Sequence, residues 1–167
     1  MSVNVYQPHL LVIPEDEANR DIVNGFSCCV KINHRQFWVK PPAGGWIKGR
    51  DQLYELAKGY RRRYDQSYAV LIVDFDNEKD RGSQIRDELP EEVRDRVFVI
   101  GALTDPESLK RATGLRFEEL GGKIAEGCIE LNDVFWRQQE LLSHNLQEVC
   151  RLSGSVRELF FTRADNK

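Results

Sequence analysis

Apolar residues in this chain gather in short unbroken runs, and the stretches between them carry apolar positions at helical spacing. His9–Ile13 (HLLVI), Tyr68–Val73 (YAVLIV) and Arg96–Ile100 (RVFVI) read as buried strands, each bounded by turn or breaker residues. Ile22, Val23 and Phe26 form a helical stripe after the first run, with acids in the first turn to complement the helix dipole. Leu53, Leu56, Ala57 and Tyr60 mark a helix from about Gly49 to Tyr64, and Arg81–Leu89 marks another that Pro90 ends. Ser27–Ile32 and Gln36–Lys40 are rich in β-formers, with Asn33, His34 and Arg35 as the turn between them, and the sequence PPAGGW (Pro41–Trp46) reads as a loop. After the third strand, Asp105 caps a helix and Pro106 occupies its first turn.

Beyond Leu103 the strand pattern stops. Phe117–Cys128 places Phe117, Leu120, Ile124 and Cys128 on one side of a helix, and Val134–Leu142 and Leu146–Leu152 read as two more. Strands alternating with helices predict an α/β fold: an open, mostly parallel sheet with helices on both faces. Residues 1–167 are expected to form a single domain, with about 115–167 as a helical C-terminal cover.

Charge adds little to this picture. Against 27 acids stand 24 Lys and Arg, a net charge of −3, so no global field draws in nucleic acid. Lys58 with Arg61–Arg63 offers a local basic stripe, or simply a solvated helix face. Cys28, Cys29, Cys128 and Cys150 lack C-x-x-C spacing, which argues against a zinc ribbon or a disulfide framework. Cys28 and Cys29 read as small buried residues on a strand. No apolar run is long enough to span a membrane and the N-terminus shows no signal-peptide pattern, so a cytoplasmic protein without membrane association is expected.

The chemistry concentrates at the ends of two apolar runs. VLIVDFD delivers Asp74 and Asp76 at positions i and i+2, which share one face of a strand, and two converging acids repel unless a hard divalent cation such as Mg²⁺ takes their oxygens. A helix cap is the competing reading for Asp76 or Asn77. The first run ends in IPEDE, which brings Glu15, Asp16 and Glu17 to a neighbouring strand end if the two strands pair.

An apolar strand ending in Glu, followed some tens of residues later by one ending in Asp-x-Asp, resembles the TOPRIM domain shared by topoisomerases, bacterial primases and OLD-type nucleases. The order IPEDEANRDIVNGF, a PAGG-type loop, VDFD and DPESLK is similar to small stand-alone bacterial TOPRIM-like proteins. The resemblance implies a nuclease-like, phosphodiester-processing domain in which Asp74 and Asp76 hold Mg²⁺ or Mn²⁺, and Glu15 binds metal or transfers a proton at a nucleic-acid phosphodiester. Gabija-type and OLD-type relatives act in antiphage defence with an ABC-type ATPase, which implies such a partner and an antiphage or DNA-maintenance role. The family usually places Gly directly after the Glu. Here Asp16 stands there, so either Glu15 or Glu17 is the inward acid.

Secondary candidates surround this set. Asp80 is a third ligand or a helix N-terminal acid; Glu107, in DPESL, faces the same crevice or caps its helix; Lys123 contacts phosphate if the helical cover closes over the site, or is an exposed lysine. Trp46 stacks on a base or packs. VDFDN is also similar to the Asp-x-Asp of haloacid-dehalogenase phosphatases and to NYN or PIN nucleases, but those families place the motif on their opening strand. The non-catalytic alternative is a TOPRIM-like binding or interaction module working with a partner ATPase, its acids serving as caps.

Overall fold

The computed structural model describes residues 6–60, 66–130 and 133–164. Its centre is a four-stranded parallel sheet ordered β3-β1-β4-β5, where β1 is His9–Pro14, β3 Phe37–Val39, β4 Ser67–Ile72 and β5 Val97–Ile100. The two strands that end in acids are neighbours, in register from His9 opposite Ser67 to Pro14 opposite Ile72. The α/β fold with a mostly parallel sheet expected from the pattern is the one observed.

Alternation along β4 and its extension divides the interior in two. Val70 pairs with the core that contains Leu10, Val12, Phe98 and Ile100, whereas Ala69, Leu71, Val73 and Phe75 belong to a second core with Ile13, Val97 and Val99. The first core is covered by helices α1 (Glu17–Cys28), α5 (Pro106–Thr113), α6 (Phe117–Glu130), α7 (Val134–Gln138) and α8 (Leu146–Phe160). The second is covered by α2 (Trp46–Tyr60), α3 (Arg81–Asp87) and α4 (Glu91–Arg94). Helices therefore lie on both faces.

Two details position these layers. Helix α1 packs on α6 through Gly25 and Gly121: a Cβ on Gly25 would overlap the backbone of Glu118, and one on Gly121 the carbonyl oxygen of Ile22. Side-chain-free backbone contact is the condition for this spacing. At the other side of the sheet, the outward polar groups of β5 are taken up by side chains. Asn145 accepts from the Gly101 amide at 3.2 Å and donates to its carbonyl at 2.8 Å, Glu148 accepts from the Val99 amide at 3.0 Å, and Arg151 donates to the Val97 carbonyl. Three residues of one helical face thus replace a neighbouring strand.

Three of the expected local features differ in the fold. Cys28 and Cys29 are exposed and end α1 rather than lying buried in a strand; the strand there is only β2, Val30–Lys31. A strand does follow Leu103: β6, Thr162–Arg163, pairs antiparallel with β2. Helix α7 stops at Gln138 instead of Leu142, and a single 3-10 turn, Ser143–Asn145, leads into α8, which continues to Phe160. Helix α2 is described from Trp46 to Tyr60, and its expected continuation to Tyr64, with the run Arg61–Arg63, lies outside the described residues. No described helix is long and apolar enough to cross a membrane.

Candidate functional site

Parallel strands deliver their C-terminal ends to one edge, and there the ends of β1 and β4 meet the N-termini of α1 and α2. The backbone ladder runs on past β4: the amides of Val73 and Phe75 donate to the carbonyls of Ile100 and Ala102 at 3.0 and 2.9 Å. Val73 and Phe75 are buried on the α2 side, so Asp74 projects to the α1 side.

Asp74 meets Asn19, a residue of α1 that is only 1% exposed. The Asn19 amide group donates to Asp74 Oδ1 at 3.1 Å and to Asp16 Oδ1 at 3.0 Å, while Asp16 caps α1 by accepting from the Asn19 backbone N–H at 2.9 Å. Burial, together with the charges of Glu15, Asp16 and Asp76, raises the Asp74 carboxyl to about 7, although the Asn19 hydrogen bond opposes the rise.

Glu15 turns inward. Its carboxylate accepts from the Asp74 backbone N–H at 2.8 Å, and the Trp46 amide at the start of α2 also favours its ionised form. Burial outweighs these two donors, and with the charges of Asp16 and Asp76 it holds the Glu15 carboxyl above its ordinary range. The Gly-rich loop folds back over the same residue: Gly44 and Gly45 donate to the Glu15 carbonyl at 2.8 and 3.3 Å, with φ of 81° and 130° that side chains rarely allow. Glu17 points elsewhere, exposed and paired with Arg20 at 2.9 Å.

Asp76 departs from the expected strand geometry. Its φ is 48° and that of Asn77 is 65°, left-handed values that Asp and Asn tolerate better than most residues. The period-two rule lapses there, and the carboxylate pairs with Arg81, whose Nη1 donates to Asp76 Oδ2 at 2.7 Å and to the Asp74 carbonyl at 2.5 Å. The Arg81 guanidinium in turn lies over the Trp46 ring, 4.7 Å from its centroid, with Arg50 at 5.5 Å. Trp46 thus packs against the second core, as its packing reading had it, and also meets guanidinium groups at the site.

The secondary candidates lie apart from this set. Asp80 stands at the N-cap of α3 with no side-chain cap bond, and Glu107 is exposed in the first turn of α5, hydrogen-bonded to Asp105. Lys123 pairs with Glu126 at 3.3 Å and lines a groove with Cys28 and Cys29, which close the end of α1 opposite Asp16. A helix of 12 residues spans roughly 18 Å, so Lys123 is not brought to the acid crevice. Asn19 and Arg81 were not singled out from the sequence as members of the site. The one cue was the Asp-x-x-Asn spacing at Asp16 and Asn19, which marks a helix start.

Carboxylate oxygens are the donors a hard divalent cation takes, and the chemistry of this set fits Mg²⁺ or Mn²⁺. In the arrangement observed, however, each acid is engaged: Glu15 on backbone amides, Asp74 on Asn19 and Asp76 on Arg81. Among the described residues no three His, Cys, Asp or Glu side chains stand grouped to hold an ion. Comparison with protein-family models, with curated proteins and with solved structures finds no match to this chain.

Proposed function

We propose that this chain is a Mg²⁺-dependent, phosphodiester-processing domain of TOPRIM-like, nuclease type, acting on nucleic acid in the cytoplasm. The observation that carries the reading is that Glu15, Asp16, Asp74 and Asp76 lie at the ends of two adjacent parallel strands, where burial, with the charges of the other three acids adding to it, raises Asp74 to about 7. A partly buried carboxyl with further acids beside it is a place where a cation would be welcome.

Asp74 and Asp76 would supply oxygens to the cation, with Glu15 beside them. A bound Mg²⁺ supplies charge stabilisation at a phosphate and acidifies a water. Asn19 fixes the orientation of Asp74 from a fully packed position, which limits its rotamers. Glu15, whose carboxyl burial holds above its ordinary range, would be the group beside the cation that takes or gives a proton. Incubation with Mg²⁺ or Mn²⁺ and single-stranded, double-stranded or supercoiled DNA, or RNA, should give cleavage that Asp74→Asn abolishes. Absence of any such cleavage sinks the catalytic reading for this chain.

One observation favours a second reading, a non-catalytic interaction module that works with a partner ABC-type ATPase in an antiphage or DNA-maintenance system. Glu15 ties the Asp74 amide to the start of α2, a structural task that accounts for a buried acid without catalysis. Titration calorimetry separates the two: saturable heat with Mn²⁺ supports the metal site, and its absence supports the module.

A further inference from the structure

The acids at the crevice are not balanced by solvent alone. Arg81 is 12% exposed, and one of its nitrogens bonds both the Asp74 carbonyl and the Asp76 carboxylate, while its plane rests on Trp46. Asp76 itself is 60% exposed, so its position is set by this contact and by the left-handed turn at Asp76 and Asn77, not by packing. Strand alternation would otherwise direct it to the side of Asp74.

We infer that Arg81 is the built-in counter-cation of the acid site, and that a divalent cation must displace its guanidinium from Asp76 before Asp76 can join Asp74. This rests on the metal reading proposed above. A guanidinium and a metal ion held on the same carboxylate repel each other. Displacement leaves the guanidinium stacked on Trp46 at the mouth of the crevice, with planar N–H donors suited to two oxygens of a phosphate. Arg81 is therefore a positioning residue: it holds the metal-free site together and turns to the phosphate once the cation is in place.

The test is titration of Mn²⁺ and Mg²⁺ into the wild type, Arg81→Gln and Arg81→Lys, followed by calorimetry, with melting temperatures measured in a chelator. Arg81→Gln should bind Mn²⁺ at least fivefold more tightly than the wild type while melting at a lower temperature without metal. Arg81→Lys keeps the charge but on a shorter side chain without the planar group that lies over Trp46, and should bind with intermediate affinity, which preserves the test if the glutamine variant fails to fold. Equal or weaker Mn²⁺ binding by these variants, with a wild type that saturates, overturns the inference and leaves the metal reading standing. No binding by wild type or variants overturns both.

Discussion

The backbone N–H of Asp74 donates to the carboxylate of Glu15 across 2.8 Å, joining β4 to β1 one step beyond their last paired residues, Pro14 and Ile72. A side chain here does the work of a ladder hydrogen bond at the point where both strands must leave the sheet.

Replacing that side chain should cost stability. Glu15→Ala leaves the amides of Asp74 and Trp46 without their acceptor, and a loss of about 1–3 kcal/mol is expected in urea denaturation. Glu15→Gln keeps an acceptor oxygen and should lose less.

Asp74 gives the protein a pH dependence of definite sign. Its carboxyl titrates at about 7 in the fold against an ordinary value of 3.8, so between these values the unfolded chain releases a proton that the folded chain retains. Stability therefore falls as pH rises from about 4 to about 7 and levels off above. Asp74→Asn should flatten this slope and melt higher than the wild type at pH 8. If a cation binds, its stabilising effect should be larger at pH 8 than at pH 5.5.

The α1–α6 contact should tolerate no side chain. Gly121→Ala places a methyl group against the Ile22 carbonyl and the Phe26 amide, both backbone atoms that cannot swing aside. A destabilisation of about 1–3 kcal/mol or more is expected by thermal or chemical denaturation.

Thiol accessibility is the fourth outcome to check. Cys28, Cys29 and Cys150 are exposed, whereas Cys128 is buried and its thiol is pushed up to about 12 by desolvation. Ellman's reagent should titrate three thiols in the native protein and the fourth only on unfolding.

Strands β1, β4 and β5 were legible because they are largely buried on both faces and read as continuous apolar runs. Asp105 and Pro106 were legible for a local reason: the Asp105 carboxylate does accept from the Ser108 amide, and Pro106 needs no N–H at that place. What escaped were features decided by tertiary contact. Cys28 and Cys29 sit among β-formers in sequence, yet α1 runs on to Cys28 because its Gly25 face is clamped against α6. Strand β6 is two residues long and exists only through its pairing with β2. At the site, the Asp-x-Asp spacing placed Asp74, but the expected common face failed at Asp76, where Arg81, seven residues from Asp74, supplies a partner no strand periodicity announces.

The seal that Asn145, Glu148 and Arg151 place on β5 has a bearing on assembly. A fifth strand arriving from another molecule would have to displace these three side chains from the Val97 and Gly101 carbonyls and the Val99 and Gly101 amides, so strand addition is opposed there. The sheet has one remaining flank, β3, whose three residues include the half-buried Trp38 beneath Lys40. A complex that shares this sheet without displacing those side chains would add its strand along Phe37–Val39, on the side away from β5.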